Sequence, residues 1–271
     1  MNPPLAHSRV TAPGAEPRHW IFALHGIFGR GRNWATLMRQ LATERPEWGA
    51  VLVDLRLHGD SHAVEGPHTL GAAADDIAEL VEHLGLAPTA ILGHSFGGKV
   101  ALCYGANAPN GLQQVWVIDS TPASKPPSGS AWGMIEAVRG MPAEFPSRAD
   151  FVERLKQAGY AEPVGQWMAM NLEPAEGSYR WRLNFEAMET MLEDFFRTDL
   201  LPLVGEPPPG VELHFIKAQD SNVLTPDVAE HIAAAEQATG RIFLHHLSGG
   251  HWLNTDNPQG ILELLRARLP F

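Results

Sequence analysis

The stretch Ala90-Ile91-Leu92-Gly93-His94-Ser95-Phe96-Gly97-Gly98 decides the fold of this chain. It begins with a short apolar run, which is typical of a buried strand, and residues 96–107 then follow a helical pattern. The pattern Gly-x-Ser-x-Gly places Ser95 on a sharp turn between strand and helix, where small neighbours avoid steric clashes. The alternative is a purely structural turn, but the position between strand and helix favours a nucleophilic serine.

Buried strands and helices alternate on both sides of this turn. Strands are predicted by apolar runs at residues 20–24, 50–54, 90–93 and 115–118. The segments between them predict helices, with Asn33 as the N-cap of a helix over residues 33–44 and Thr69 as the N-cap of the helix that follows it. The alternation returns with strands at 211–216 and 241–244 and helices at 226–238 and 258–269. This order predicts an α/β fold, with a mostly parallel central sheet and helices on both faces.

The middle of the chain has a different character. From residue 121 to 201 there are prolines and two helix-like stretches, at 151–159 and 184–196, but no convincing buried strand. We therefore expect an inserted helical cap at residues 121–201, and a core domain built from residues 1–120 and 202–271.

A serine needs a base to remove its proton, and His251 is the expected base. It lies in Ser248-Gly249-Gly250-His251-Trp252, after the last strand and before the last helix. Two carboxylates could orient this imidazole: Asp119 ends the fourth predicted strand, and Asp220 follows the next one. We favour Asp119, with Asp220 as the alternative.

Two backbone N–H groups are expected to form an oxyanion hole, those of Ile27 and Phe96, with His25 bracing the loop that carries Ile27. The expected walls of the substrate pocket are large apolar side chains, namely Phe28, Trp132, Met134, Trp167, Met168 and Trp252. The polar turn at 54–62 holds four candidate metal ligands, Asp54, His58, Asp60 and His62. Because metal ligands must converge on one point, we interpret it as a polar turn and predict no metal.

Several motifs together resemble the α/β-hydrolase superfamily. They are HGIFG at 25–29, DLRLHGDS at 54–61, GHSFGGK at 93–99, VIDSTP at 117–122 and SGGHW at 248–252. More narrowly, the chain resembles a branch of small bacterial esterases and acyl-thioesterases related to a mitochondrial hydrolase of animals. The segment YRWRLN at 179–184 is similar to the end of that branch's cap.

The resemblance implies a function as well as a fold. That branch carries its acid at the position of Asp119, whereas many other members carry it after the next strand, where this sequence has Ser221 with Asp220 one place earlier. The implied substrates are carboxylic esters of short to medium acyl chains, with acyl thioesters as a second class, and no cofactor is implied. The alternative functions are hydrolysis of C–C bonds or perhydrolysis by the same triad of Ser95, His251 and the acid, and ligand binding by a receptor of this fold without catalytic activity.

The composition of the chain limits its possible partners and its expected location. The 271 residues include 20 Lys and Arg against 31 Asp and Glu, a formal charge of −11, which argues against nucleic-acid binding. Cys103, the single cysteine, is expected to be a buried thiol. Residues 1–18 lack a signal-sequence pattern, and no apolar run is long enough for a membrane span. We therefore expect a cytoplasmic enzyme with a small-molecule substrate, as a monomer or small homo-oligomer.

Overall fold

A computed structural model gives the structure of the protein and describes residues 5–271. Residues 1–4, part of the stretch predicted to lack a signal sequence, lie outside the described residues. The strands are β1 (His7–Val10), β2 (His19–Leu24), β3 (Trp48–Val53), β4 (Ala90–His94), β5 (Gln114–Ile118), β6 (Glu144–Phe145), β7 (Leu172–Ala175), β8 (Ser178–Trp181), β9 (Glu212–Ala218) and β10 (Ile242–Leu247).

Helices lie in most of the connections between these strands. They are α1 (Ala35–Glu44), α2 (Leu70–Leu84), α3 (Phe96–Ala106), α4 (Ser130–Arg139), α5 (Arg148–Gln157), α6 (Glu162–Met168), α7 (Phe185–Arg197), α8 (Leu201–Gly205), α9 (Pro226–Thr239), α10 (Leu253–Asp256) and α11 (Pro258–Arg268). In residues 5–271 no helix has both the length and the apolar character needed to cross a membrane.

The central sheet has seven strands in the order β1-β3-β2-β4-β5-β9-β10. All neighbouring pairs are parallel except β1 and β3, which run antiparallel. The parallel α/β fold predicted from the sequence is therefore confirmed. The edge strand β1 was not predicted, because it is only four residues long and mostly exposed, so it lacks the continuous apolar run that marks a buried strand.

The apolar strands are explained by burial on both faces of the sheet. Along β2, the side chains of Ile21 and Ala23 join an apolar cluster that includes residues of α1 and α11. Those of Phe22 and Leu24 join the cluster on the opposite face, which includes residues of α2 and α3. Since successive side chains of a strand point to opposite faces, a strand covered by helices on both sides must be apolar throughout.

Two helix starts test the expected caps. Thr69 caps α2, because its hydroxyl accepts a hydrogen bond from the Ala72 N–H at 3.1 Å. The prediction that Asn33 caps a helix over 33–44 is wrong, because residues 31–34 form a 3₁₀ turn and α1 starts at Ala35. The Asn33 side chain instead accepts a hydrogen bond from the preceding Arg30 N–H at 2.7 Å, which closes this tight turn.

Residues 121–201 contain four helices, α4 to α7, together with a second sheet. Its three strands lie in the order β6-β8-β7 and pair antiparallel. The segment expected to be a helical cap therefore also contains a small sheet, which was not predicted. These strands are two to four residues long and partly exposed, so their sequences lack the apolar run that predicts a buried strand. The division into core and cap remains a proposal.

A buried lysine ties this segment to the central fold. The Lys99 side chain is completely buried on α3, and its Nζ donates hydrogen bonds to the carbonyls of Ala123 at 3.0 Å and Phe195 at 2.7 Å. The same ammonium lies 4.7 Å from the centre of the Phe195 ring. Burial lowers the pKa of Lys99 to about 8, and the two carbonyls provide polar partners that a buried ammonium requires.

Candidate active site

The turn at Ser95 has a backbone conformation that few residues adopt. Ser95 has φ 51° and ψ −117° between β4 and α3. The turn can form only because its neighbours are small: a Cβ at Gly93 would lie 2.0 Å from the Gly97 carbonyl oxygen, and a Cβ at Gly97 would lie 2.4 Å from the His25 carbonyl oxygen. Strain of this kind exposes the serine hydroxyl at the end of a strand, as the Gly-x-Ser-x-Gly pattern requires.

The structure brings Ser95, His251 and Asp119 together in one chain of hydrogen bonds. The Ser95 Oγ lies 3.1 Å from His251 Nε2, and His251 Nδ1 lies 2.6 Å from Asp119 Oδ2. Because a carboxylate only accepts hydrogen bonds, Nδ1 carries the proton and Nε2 is left free to accept from the serine hydroxyl. This is the arrangement in which an imidazole can remove a proton from a serine.

The two candidate acids have very different surroundings. Asp119 is fully buried and accepts hydrogen bonds from the Ser221 hydroxyl at 2.5 Å and the Ala218 N–H at 3.2 Å, besides that from His251. Burial by itself would raise the pKa of Asp119, but the hydrogen bonds from His251 and Ser221 outweigh it and hold the pKa below its ordinary value. Asp220 is exposed, and its backbone N–H donates to the Gly249 carbonyl.

Residues around His251 fix the position of its loop. The Gly250 N–H donates to Asp256 Oδ2 at 2.9 Å, and His94 Nε2 donates to the backbone carbonyl of His251 at 2.6 Å. Burial lowers the pKa of His94 to about 3, so its imidazole stays neutral. His94 and Ser221 were not predicted to be part of the site. The only signal in the sequence was their position, since His94 directly precedes Ser95 and Ser221 stands where many members of the superfamily carry the acid.

The loop after β2 faces the serine turn. The backbone N–H groups of Ile27 and Phe96 make no hydrogen bond to any residue within 5–271, and Phe96 is the first residue of α3. His25 braces this loop: its Nε2 accepts from the Leu55 N–H at 3.0 Å and its Nδ1 donates to the Gly26 carbonyl at 2.7 Å. Two free N–H donors beside a serine can hold a negatively charged oxygen.

A cavity of about 450 Å³ opens above Ser95 and His251. Four of the six expected wall residues line it, namely Phe28, Met134, Trp167 and Trp252. The expectation for the other two is wrong. Met168 is completely buried in the apolar core, and the indole of Trp132 bonds to Glu136 and packs on Phe196. Helical spacing identifies the apolar face of a helix but not which residues of that face meet a cavity.

Aromatic rings close one side of this cavity. The Trp167 ring on α6 lies perpendicular to the Trp252 ring at 4.5 Å between centres, and the Phe28 ring lies 6.1 Å from Trp167. Trp252 directly follows His251 and is 38% exposed. The contact therefore joins the segment 121–201 to the loop that carries the histidine, and it borders the space where a substrate would bind.

The polar turn at 54–62 holds itself together with hydrogen bonds. The Asp54 carboxylate accepts from the backbone N–H groups of Gly31 at 2.7 Å and Asp60 at 2.9 Å. The Asp60 carboxylate pairs with Arg182 at 2.8 Å. Within residues 5–271 there is no group of three or more His, Cys, Asp or Glu side chains placed to hold a metal ion.

The fold and this site define a class of protein. A model of the alpha/beta hydrolase family matches residues 21–264, so the chain belongs to that family.

Lipases are among the known relatives of this chain. The chain is 26% identical over 278 residues to the sn-1-specific diacylglycerol lipase ABHD11 of Mus musculus, covering 98% of this chain and 85% of the relative. It is 26% identical over 262 residues to the lipase LipV of Mycobacterium tuberculosis, covering 92% of each. Among solved structures, a marine microorganism esterase shares the fold, with a TM-score of 0.82, 22% identity, and coverage of 98% of this chain and 99% of that one.

Proposed function

We propose that the protein is a serine hydrolase that cleaves carboxylic esters of short to medium acyl chains. The observation that carries the proposal is the hydrogen-bonded chain from Ser95 Oγ through His251 to the buried Asp119. The names of its relatives, two lipases and an esterase of the same fold, support ester substrates.

The reaction would proceed through an acyl-enzyme. Ser95 Oγ attacks the ester carbonyl carbon while His251 Nε2 takes the serine proton, and the N–H groups of Ile27 and Phe96 bind the carbonyl oxygen as it becomes negative. The imidazolium, stabilised by Asp119, then protonates the leaving alcohol as the C–O bond breaks. A water molecule next gives its proton to His251 and attacks the acyl-enzyme, and Ser95 regains its proton as the carboxylic acid leaves.

The cavity limits the acyl group. A volume of about 450 Å³ bordered by Met134, Trp167 and Trp252 has room for a short to medium chain. Residues of the segment 121–201 border it, which would set an upper limit on chain length. Acyl thioesters are a second substrate class, because the same steps release a thiol in place of an alcohol.

The test is a panel of p-nitrophenyl esters from acetate to laurate, with Ser95→Ala as the control for background hydrolysis. We expect turnover by the native protein, a maximum at short to medium chains, and covalent labelling of Ser95 by a fluorophosphonate. Turnover that persists in Ser95→Ala would contradict the proposal. Tight binding of a small ligand without turnover of any ester would favour a receptor, and cleavage of a vinylogous diketone but of no ester would favour a C–C hydrolase.

A further inference from the structure

The side chain of His94 lies between two loops that supply groups to the reaction. His94 is the last residue of β4, directly before Ser95, and it lines the cavity although it is only 6% exposed. One of the two loops carries Ile27, and the other carries His251. The mechanism proposed above assigns no step to His94, although its side chain touches both loops.

The main chain of the His251 loop depends on His94 for one of its hydrogen bonds. Gly249 and Gly250 come directly before His251, and Gly249 has φ 124°, so the backbone here has more freedom than other residues would allow. The His251 carbonyl accepts a hydrogen bond from His94 Nε2 at 2.6 Å, and within residues 5–271 it has no other donor. The His94 side chain therefore restrains the main chain of His251 just after these two glycines.

The His94 ring also packs against the imidazole of His251. The two ring centres are 4.7 Å apart, and the ring planes make an angle of 42°. The His251 imidazole becomes positively charged in the proposed reaction, and a second positive charge at this distance would repel it. Because burial lowers the pKa of His94 to about 3, its ring is neutral at neutral pH and restrains His251 without opposing its charge.

The same ring contacts the loop that carries Ile27. Gly26, which directly precedes Ile27, lies so close that a Cβ there would be 3.0 Å from His94 Nδ1 and 3.5 Å from His94 Cε1. Such a short contact would force the ring or the loop to move. The position of His94 is therefore coupled to both loops, the one with the proposed base and the one with a proposed oxyanion donor.

We propose that His94 is a positioning residue for the hydrolytic reaction: it holds the His251 main chain so that the imidazole stays within proton-transfer distance of Ser95, and it sets the spacing between the two loops. The inference rests on the ester hydrolysis proposed above and adds a residue to its machinery. His251 takes a proton from Ser95 in the first half of the reaction and from water in the second, so His94 acts on both halves.

The test compares two amides of different reach, His94→Gln and His94→Asn. The Gln amide nitrogen stands as many bonds from Cβ as Nε2 of histidine, so it can donate to the His251 carbonyl, whereas the Asn nitrogen is one bond short. For p-nitrophenyl butyrate we expect kcat to fall by about tenfold to a hundredfold in His94→Asn and to stay within about threefold of the native value in His94→Gln. His94→Leu, which has no donor, should lose as much as His94→Asn.

The division between kcat and KM separates positioning from a role in the cavity wall. His94 lines the cavity, and a residue that only shaped this wall would change substrate binding and therefore KM. A displaced His251 slows the formation and the hydrolysis of the acyl-enzyme alike, so we expect KM to change by less than about threefold. Unchanged kcat in His94→Asn and His94→Leu, whatever the KM, would overturn the proposal, and so would a kcat of His94→Gln as low as that of His94→Asn.

His214→Asn is the matched control for the loss of a buried imidazole. His214 is buried on β9, away from the cavity lining, and burial lowers its pKa to about 3 as well. We expect a lower melting temperature but a kcat within about threefold of the native value. Circular dichroism and thermal melting would establish that each variant is folded at the assay temperature. If folded His214→Asn lost as much kcat as His94→Asn, the loss would reflect general destabilisation, and the proposal would be overturned.

The coupling of the two loops is tested by a double replacement. Gly26→Ala places a Cβ 3.0 Å from His94 Nδ1, and we expect it to lower kcat by about tenfold in the native protein. His94→Ala removes the ring, so in this background the same replacement should lower kcat by about threefold or less. An equal reduction in both backgrounds would show that the two positions act independently and would overturn the coupling through His94.

The outcomes separate this inference from the function on which it rests. If the native protein cleaves no ester in a Ser95-dependent way, the proposed ester hydrolysis itself is refuted. If it cleaves p-nitrophenyl butyrate in a Ser95-dependent way but kcat does not depend on the donor at position 94, only the positioning role of His94 is refuted.

Discussion

Replacement of Asp119 by asparagine tests the proposed triad most directly. The change keeps the size of the side chain but removes its charge, and an amide has one end that only donates hydrogen bonds. At one position this end would face the Ala218 N–H, which already donates to Asp119. At the other it would face His251 Nδ1, which would then have to release its proton to accept. In this second orientation the imidazole proton of His251 would move from Nδ1 to Nε2, the nitrogen that must accept the proton of Ser95.

The magnitude follows from the geometry. His251 Nδ1 and Asp119 Oδ2 are 2.6 Å apart, and the carboxylate is fully buried. An imidazolium and a carboxylate with charge centres about 4 Å apart interact by about 4 kcal/mol at an effective dielectric constant of about 20, which corresponds to about 10³ in rate. The unfavourable tautomer adds to this loss, so we expect kcat to fall by about 10³ to 10⁴.

The matched control is Asp220→Asn, the other acid that the sequence left open. The Asp220 side chain is exposed, and its contact with the histidine loop uses the backbone N–H, which asparagine retains. We expect kcat for p-nitrophenyl butyrate to stay within about threefold of the native value. Circular dichroism and thermal melting of both variants would establish that they are folded. If folded Asp119→Asn kept more than a tenth of the native kcat, or if Asp220→Asn lost more activity than it, our reasoning would be refuted.

Three further predictions concern the turn, the buried imidazoles and the cavity. Gly93→Ala should lower the free energy of unfolding by about 3 kcal/mol or more, because its Cβ would lie 2.0 Å from the Gly97 carbonyl oxygen; an unchanged midpoint in urea would contradict this. Burial lowers the pKa of His58 from 6.5 to about 3, so below pH 6.5 the unfolded chain binds a proton that the folded protein does not. Stability should therefore fall as the pH decreases from 6.5 towards 3, and thermal melts should show a shallower fall for His58→Phe; equal slopes would speak against a neutral buried imidazole. Trp167→Ala should remove the ring contact with Trp252 and shift the acyl-chain preference towards longer esters; the chain-length profile of kcat/KM measures this, and an unchanged profile would mean that the contact does not limit the cavity.

The sequence predicted those parts of the site that depend on neighbours along the chain. Ser95 was predictable because a strand, a tight turn with small residues and a helix follow one another directly, and each has a local pattern. His251 was predictable because it lies in a glycine-containing loop between the last strand and the last helix. In the structure the Ser95 hydroxyl and the His251 imidazole form a hydrogen bond, although 156 positions separate the two residues in the chain.

The choice between the two acids could not be made from the sequence alone. Asp119 directly follows β5, and Asp220 comes two residues after β9. These strands are parallel neighbours, so both acids lie at the same edge of the sheet. What separates them is side-chain direction: Asp119 has φ 43° and points into a buried site with Ser221 and His251, whereas Asp220 points to solvent.

The sequence by itself determined the alternation of buried strands and helices in the central parallel sheet and the serine turn, because local conformation and the apolar character of buried strands are set by residues close together in the chain. It did not reveal the short, partly exposed strands β1, β6, β7 and β8. The tertiary structure decided which acid meets His251 and which of Trp132 and Met134 borders the cavity. The physical reason is that these properties depend on side-chain directions and on the packing of segments that are distant in sequence, which no local pattern specifies.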